Sequence, residues 1–159
     1  MRNIAVIFPL RFFIFLSLIF ILVFSGESEA KEAEWTYSLS AHTYKAELSA
    51  DGRYIAVGTN DGVVRLLDTH NQTELWSYDT GSISIRNVDI SADGSYIVAG
   101  EHGNSSSAKI YLFDKDSSTP LWSYTTENYV RSVAISADGE YIAAGSYDDK
   151  VYLFDKDSS

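Results

Sequence analysis

Short stretches of the chain place apolar residues at every second position. The clearest of them are 44–48, 86–90 and 131–135, where the intervening residues are mostly polar. An alternation with a period of two residues is typical of a β-strand that buries one face. No stretch after residue 30 has the 3.6-residue period of an amphipathic helix, so the pattern predicts an all-β fold.

The strand-like stretches belong to a sequence repeat. Ser-Ala-Asp-Gly occurs at 49–52, 91–94 and 136–139, so the spacings between copies are 42 and 45 residues. Phe-Asp-Lys-Asp-Ser-Ser occurs at 113–118 and again at 154–159. Glycine takes the positive φ of a tight turn at little cost, so each Ser-Ala-Asp-Gly predicts a turn between two strands.

Each copy of the repeat predicts four strands. The first strand is the alternating stretch before the Ser-Ala-Asp-Gly turn, and further apolar stretches follow that turn. The predicted second strands are 54–58, 96–100 and 141–145, the third are 63–67, 109–113 and 150–154, and the fourth are 75–78 and 121–124, with 35–39 as an early copy. A repeat of this length with four antiparallel strands has the period of a propeller blade. A parallel β-helix needs shorter repeats, and a β-sandwich does not need copies so alike.

We therefore expect β-propeller blades, each a four-stranded antiparallel sheet, in an incomplete propeller. About three blades are predicted, at 44–79, 86–125 and 130–159. Each sheet of a propeller buries its faces against its neighbours, which explains why the copies are alike. Three blades fall short of the four to eight of closed propellers. We expect a truncated reading frame or one segment of a longer propeller, and the alternative is assembly of several chains into one ring.

The segment 136–155 resembles a WD40 repeat. Its Ser-Ala-Asp-Gly turn, the small residues of the next strand and the closing aromatic-Asp pair follow the order of features in that family. The Trp-Asp pair that usually closes such a repeat is replaced by Leu67-Asp68, Phe113-Asp114 and Phe154-Asp155. The resemblance implies a β-propeller with a binding or scaffold role.

The segment 110–124 is similar to a quinoprotein repeat as well, in which Val-Tyr-Ala-Leu-Asp, a turn and Leu-Trp follow one another. In quinoprotein dehydrogenases the propeller can hold pyrroloquinoline quinone with calcium. Many proteins with the same repeat hold no cofactor and act as scaffolds. We expect no cofactor in this chain, and part of a quinoprotein-like (PQQ-like) enzyme is the alternative.

Residues 1–30 differ from the rest of the chain and have the layout of a secretory signal peptide. Arg2 and Arg11 supply a positively charged start, and 12–24 is apolar except for one serine. The small residues before Lys31 predict cleavage after Ala30.

An uncleaved membrane anchor is the alternative for this leader, because residues 3–24 are long enough to span a bilayer if Arg11 and Pro9 are tolerated there. Arg11 within such a span would cost about 2.5–3.5 kcal/mol, which favours cleavage. Either way, a linker at 31–34 and the propeller fragment at 35–159 are expected outside the cytoplasm, whether secreted, periplasmic or at the cell surface. Membrane contact is expected only through the leader.

The acidic net charge of the chain argues against nucleic acid and anionic membranes as partners. The chain of 159 residues has a formal net charge of −10 and no cluster of Lys and Arg. Such a surface is a poor match for nucleic acid or an anionic membrane. The chain has no cysteine, which excludes disulfides, thiolate metal sites and cysteine nucleophiles.

The sequence offers no catalytic constellation. His42, His70 and His102 stand apart in predicted loops, without the spacing of a zinc site. The stretch 114–118 resembles the start of a calcium-binding loop, but Thr119 stands where such a loop needs glycine. We therefore expect a protein that is not an enzyme and holds no metal.

The candidate binding surface lies at one rim of the predicted propeller. Arg86 and Arg131 occupy equivalent positions at the start of the innermost predicted strand in two copies. Loop residues expected near the same rim are Asn128, Tyr129, His102, Tyr147, Asp148 and Glu101. Repeated arginines predict a surface that binds an acidic peptide or a carboxylate. The alternative is that they pair with Asp89 or a nearby loop acid, and Tyr44 in the first copy argues against a full ring of arginines.

The sequence also contains two possible glycosylation sites. Asn71 and Asn104 begin glycosylation sequons in predicted loops. The function expected is an exported, non-enzymatic scaffold or binding module with a protein or peptide partner, and a structural cell-surface repeat protein is a further alternative. Exposed blade faces also make self-assembly an expectation.

Overall fold

The computed structural model describes residues 31–103 and 107–157, which form three antiparallel β-sheets. The first sheet contains β1 (Thr43–Leu48), β2 (Tyr54–Thr59), β3 (Val63–Asp68) and β4 (Thr73–Asp79). The second contains β5 (Ile85–Ile90), β6 (Tyr96–Glu101), β7 (Ala108–Asp114) and β8 (Pro120–Thr126). The third contains β9 (Val130–Ile135), β10 (Tyr141–Ser146) and β11 (Val151–Asp155). The prediction of an all-β chain of propeller blades in an incomplete propeller is confirmed.

The Ser-Ala-Asp-Gly turns join the first two strands of every sheet by the same hydrogen bonds. In the second sheet the Ser91 hydroxyl donates to Asp93 Oδ1 at 2.8 Å and accepts the Tyr96 N–H at 3.0 Å. Gly94 has a φ of 74°, a conformation that glycine adopts at little cost. Equivalent bonds occur in the turns that begin at Ser49 and Ser136. The repeated motif therefore fixes the same hairpin three times.

The core between the first and second sheets consists of apolar side chains from facing strands. From the first sheet it contains Tyr54, Ala56, Val64 and Leu66, and from the second it contains Ile85, Val88, Ile90, Ile97, Ala99, Tyr111 and Phe113. The Trp76 and Phe113 rings lie 5.3 Å apart between centroids. Burying one such aliphatic or aromatic side chain stabilises the fold by about 1.5–3 kcal/mol.

The second and third sheets pack against each other in the same way. The Trp122 and Phe154 rings also lie 5.3 Å apart. The indole of Trp76 donates to the Lys115 carbonyl at 2.7 Å, and that of Trp122 donates to the Lys156 carbonyl at 3.0 Å. The outer strands of the first and second sheets are thus each held to the sheet that follows.

Backbone hydrogen bonds connect the turns of successive sheets. The Ala50 N–H donates to the Ala92 carbonyl at 2.9 Å, and the Ala92 N–H donates to the Ala137 carbonyl at 3.0 Å. Each turn therefore donates to the turn of the next sheet, so the contacts between sheets repeat in one direction along the chain.

The prediction of a strand at 35–39 is wrong, because these residues form no strand in the structure. The last sheet, which such a strand was expected to complete, contains three strands in the described residues. The segment instead lies against the first sheet, and the Tyr37 hydroxyl donates to Glu74 Oε2 at 3.5 Å. The other predicted strands are present, with ends that differ by one or two residues.

In the described part of the chain, no helix has the length and apolar character needed to cross a membrane. The predicted leader at 1–30 lies outside the described residues.

Candidate functional site

One rim of the molecule carries an open cleft of about 520 Å³. The starts of β5 and β9, the loop after β6 and the loop between β10 and β11 meet there. Six side chains line the cleft, namely Arg86, His102, Asn128, Tyr129, Arg131 and Tyr147. The structure therefore brings together six of the eight residues that the sequence analysis placed at the rim, and it leaves out Asp148 and Glu101.

The two arginines of the cleft rest on aromatic rings. Arg86 Cζ lies 5.0 Å from the centroid of the Tyr44 ring, and Arg131 Cζ lies 5.1 Å from that of the Tyr147 ring. Within the described residues neither guanidinium has an ion pair with a carboxylate. Their hydrogen-bond donors therefore remain available to a ligand.

The alternative in which these arginines pair with Asp89 is wrong. Asp89 Oδ2 accepts the Ile135 N–H of the next sheet at 2.8 Å, and Asp89 Oδ1 accepts the Ile90 N–H at 2.9 Å. The carboxylate joins two sheets instead of neutralising the rim.

The imidazole of His102 lines the cleft. Its ring stacks on the Tyr129 ring with 4.5 Å between centroids and an angle of 4° between planes. Burial, followed by the positive charges of Arg86 and Arg131, lowers the pKa of His102 below its usual value. The imidazole is therefore neutral at pH 7, and the cleft's positive charge comes from the two arginines.

Hydrogen bonds to backbone carbonyls hold the aromatic wall of the cleft in place. The Tyr147 N–H donates to the Tyr129 carbonyl at 2.9 Å, and Asn128 Nδ2 donates to the Tyr147 carbonyl at 3.3 Å. The rings of Tyr129 and Tyr147 meet edge to face with centroids 6.0 Å apart. Because both loops are fixed, the cleft is formed before a ligand arrives, which reduces the entropy lost on binding.

Two acids that were expected near the rim have structural roles. Asp148 Oδ2 accepts the Tyr152 hydroxyl at 2.7 Å and the Glu127 N–H at 3.1 Å. Glu101 is buried and accepts the Tyr111 hydroxyl at 2.6 Å. Neither lines the cleft, so no carboxylate among its lining residues opposes an acidic ligand.

The sequence analysis missed the role of Tyr44. It was taken only as a departure from the repeated arginine, whereas its ring packs under the Arg86 guanidinium of the next sheet. The signal was present in the alignment of the repeats, because the equivalent positions hold Tyr44, Arg86 and Arg131.

The described residues, 31–103 and 107–157, contain no group of three or more His, Asp or Glu that could hold a metal ion. In the calcium-like stretch, Asp114 Oδ1 accepts the Asp116 N–H at 2.8 Å and forms a local turn. In the first sequon, the Asn71 amide donates to Asp68 Oδ2 at 3.1 Å, and its side chain is exposed. The second sequon residue, Asn104, lies outside the described residues.

Comparison with known families identifies the repeat. The family model described as "WD domain, G-beta repeat" matches residues 34–68 and 118–155. In these two segments the chain resembles WD40 repeats. WD40 domains generally mediate interactions between proteins, and proteins of this family are typically non-catalytic scaffolds. The resemblance to quinoprotein repeats stays a prediction.

Curated relatives with WD40 repeats match part of the chain. They include "Echinoderm microtubule-associated protein-like 2" from Rattus norvegicus and its counterpart from Mus musculus. Each is 32% identical over 95 residues, which are 60% of this chain and 14% of the relative. The chain thus covers 14% of the length of these relatives.

Where a WD40 repeat closes with Trp-Asp, the aspartate of this chain still organises its turn. Asp68 is buried, and its Oδ1 accepts the His70 N–H at 2.8 Å and the Asn71 N–H at 3.0 Å. The aspartate of the motif is therefore retained for the turn between β3 and β4, although Leu67 replaces the tryptophan.

Proposed function

We propose that this chain is an extracytoplasmic, non-enzymatic WD40 scaffold that binds a protein partner through the rim cleft. The ligand group proposed is a carboxylate of an acidic peptide segment. The observation that carries the proposal is the pair of arginines, Arg86 and Arg131, that line the cleft without a carboxylate partner in the described residues.

The charge of the whole chain makes this pair of arginines notable. With a net charge of −10, the surface as a whole repels an acidic peptide. At physiological ionic strength that repulsion is screened beyond about 8 Å, whereas a carboxylate within the cleft would contact guanidinium groups directly. Acidic segments should therefore bind at the cleft and nowhere else on the described surface.

The aromatic rings give the cleft a second means of recognition. Tyr129 and Tyr147 present apolar ring faces beside polar hydroxyls, a combination that is common where proteins bind peptides. A side chain that neighbours the carboxylate in the peptide could pack on these rings. The proposed partner therefore has an acidic residue next to an apolar one.

Binding of a model acidic peptide tests this proposal. The probes are an acetylated, amidated hexamer of alternating Glu and Leu and the same hexamer with Gln in place of Glu, titrated calorimetrically against the full chain. We expect only the Glu peptide to bind, and Arg131→Gln to weaken it about tenfold, because one hydrogen bond to a charged group contributes about 1.5–3 kcal/mol.

Arg53→Gln provides the matched control for that titration. Arg53 is an exposed arginine at the opposite ends of the strands, where it pairs with Asp68 at 3.8 Å. We expect this variant to bind the Glu peptide as the unmodified chain does. Equal binding of the Glu and Gln peptides, or equal losses in the two arginine variants, would show that the cleft does not recognise carboxylates.

Export rests on the predicted leader and needs its own test. N-terminal sequencing of the protein from cells that produce it should give Lys31 as the first residue. Recovery in the membrane fraction with an intact N-terminus would indicate the anchor instead, and an intact chain in the cytosol would contradict export. The quinoprotein alternative would be revealed by bound quinone absorbance that depends on calcium.

A further inference from the structure

The third sheet exposes an apolar face whose counterparts in the other sheets are buried. Leu153 is 72% exposed, whereas the equivalent residues Leu66 and Leu112 are fully buried. Val151 is 85% exposed, whereas the equivalent Val64 is fully buried. We call the surface formed by Tyr141, Ala143, Val151 and Leu153 the donor face.

The first sheet has an uncovered surface on its opposite side. Leu48 is 56% exposed, whereas the equivalent Ile90 of the second sheet is buried under the first. Leu48 lies in a groove of about 910 Å³ that Trp35, Arg53, Ile55 and Thr69 also line. We call the surface around this groove, including the exposed Ala46 of β1, the acceptor face.

Packing inside the chain shows which surface covers a donor face. The ring of Tyr54 lies against Gly94 of the next turn, and that of Tyr96 lies against Gly139. The equivalent Tyr141 is 53% exposed, and Gly52, the turn glycine of the acceptor face, has nothing within 4 Å of the position of an added Cβ. Tyr141 thus lacks a glycine to cover, and Gly52 lacks a tyrosine.

The hydrogen bonds between turns show the same complementarity. Ala50 and Ala92 each donate an N–H to the next turn. In the described residues the Ala137 N–H has no acceptor, and the Ala50 carbonyl has no donor. A donor at one end of the fold therefore matches an acceptor at the other end.

The sheets also differ by one strand, which the N-terminal segment could supply. The edge of β11 has no partner strand in the described residues, whereas β3 and β7 each pair with a fourth strand. The segment 35–39 has the Trp-x-Tyr sequence of β4 and β8 but pairs with no strand. It could add to β11 of another chain, as peptides add to exposed sheet edges.

We propose that the donor face is covered by the acceptor face of a second copy of this chain, and that two copies close into a ring of six sheets. Six lies within the four to eight sheets of closed propellers, and three copies would give nine. Head-to-tail contacts close into a ring when the rotation between neighbouring copies adds up to a full turn. The same two faces meet at both junctions of this ring, so the junctions are equivalent. This assembly is independent of the rim cleft.

The molar mass of the full chain, purified from cells that produce it and measured by light scattering after size exclusion, tests the proposal. The mass expected is that of two chains. Leu153→Lys should halve it, because the lysine would be placed in the apolar junction. The matched control, Ile83→Lys, changes a residue that is 65% exposed in a loop outside both faces, and its mass should stay that of two chains.

Cysteine pairs test the head-to-tail arrangement directly, because the chain has no cysteine of its own. Ala50→Cys and Ala137→Cys lie on exposed turns at the two ends of the fold. We expect a disulfide-linked pair of chains when the two single variants are produced together, and none when either is produced alone.

Several results would overturn the two-copy ring. They are the mass of one chain, a series of larger open assemblies, a mass unaffected by Leu153→Lys, and cross-linking of Ala50→Cys with itself. A producing cell that makes a longer polypeptide, in which further repeats cover the donor face, would overturn it as well.

Discussion

At the scale of single residues, Tyr111 and Glu101 form a polar contact inside the apolar core. The Tyr111 hydroxyl donates to Glu101 Oε1 at 2.6 Å, and the Lys109 N–H donates to Glu101 Oε2 at 2.8 Å. Both side chains are less than a tenth exposed. Burying a carboxylate is tolerated here because each of its oxygens accepts a hydrogen bond.

Removing one of these donors should be costly. Tyr111→Phe leaves Glu101 Oε1 buried without a donor, so we expect the free energy of unfolding to fall by about 1–3 kcal/mol. Tyr152→Phe is the matched control, because Asp148 keeps the donation of the Glu127 N–H and is more exposed. Urea denaturation measures both, and an equal loss in the two variants would contradict the importance of burial.

The same tyrosines predict how stability depends on alkaline pH. Burial and the hydrogen bond to Glu101 raise the pKa of Tyr111, and the hydrogen bond to Asp148 raises the pKa of Tyr152 from 10.0 to about 12. A raised pKa in the folded state means that the neutral phenol is stabilised. This stability is complete below pH 10 and decreases as the pH rises through the folded pKa values.

Denaturation at a series of pH values from 8 to about 12 should therefore show stability that declines above pH 10. The decline should be shallower in Tyr111→Phe, because that variant has lost the more strongly buried phenol. A profile of Tyr111→Phe that is parallel to that of the unmodified chain would show that other groups cause the alkaline loss.

At the scale of elements, the turn glycines combine a conformational role with a packing role. Gly52 and Gly139 have nearly the same φ, 73° and 77°. A Cβ on Gly139 would lie 2.5 Å from Tyr96 Cδ2, whereas one on Gly52 would have open space within 4 Å. The two positions therefore separate backbone strain from a clash between sheets.

Gly139→Ala should destabilise the chain more than Gly52→Ala. Both variants suffer the strain of a left-handed alanine, about 1–2 kcal/mol, and only Gly139→Ala also displaces a ring. Thermal unfolding in the Leu153→Lys background provides the comparison, because the proposed second copy cannot cover Gly52 there. Equal midpoints for the two variants would contradict a packing role for Gly139.

Most of the β-hairpins could be predicted from the sequence, since the first two strands of each sheet are joined by the same Ser-Ala-Asp-Gly turn. The strand predicted at 35–39 does not form in the structure, although the edge of β11 in the last sheet has no partner strand in the described residues. The apolar pattern of the segment contains no information about that edge. Local pattern therefore predicts hairpins better than it predicts which strands complete a sheet.

The cleft illustrates a similar limit. Arg86 and Arg131 could be placed together because they occupy the same position in successive repeats. The orientation of Glu101 could not be predicted, because its side chain turns inward to meet Tyr111 on a neighbouring strand. The sequence of one strand does not reveal whether its acid faces a buried hydroxyl or the solvent.

At the scale of the whole molecule, salt should change the affinity of the rim cleft and that of the junction between two copies in opposite directions. Two copies that each carry a net charge of −10 repel one another, whereas a carboxylate peptide is attracted to the arginines of the cleft. Salt screens both effects, since the Debye length falls from about 10 Å at 0.1 M to about 3 Å at 1 M.

Raising the sodium chloride concentration should therefore strengthen the association of the two copies and weaken binding of the Glu peptide. Sedimentation equilibrium and calorimetric titration across the same salt series measure the two dissociation constants. If both constants moved in the same direction, one surface would be serving both partners, and the separation of cleft and junction would be wrong.

The hydrogen bonds between turns all have the same direction along the chain, so the fold has two different ends. Because Ala50 donates to Ala92 and Ala92 donates to Ala137, one end of the molecule is chemically unlike the other, as the two ends of a cytoskeletal polymer are. Units that join through these ends keep a single orientation. A change in the rotation between neighbouring sheets would then convert a closed assembly into a polar fibre that grows by the same contacts.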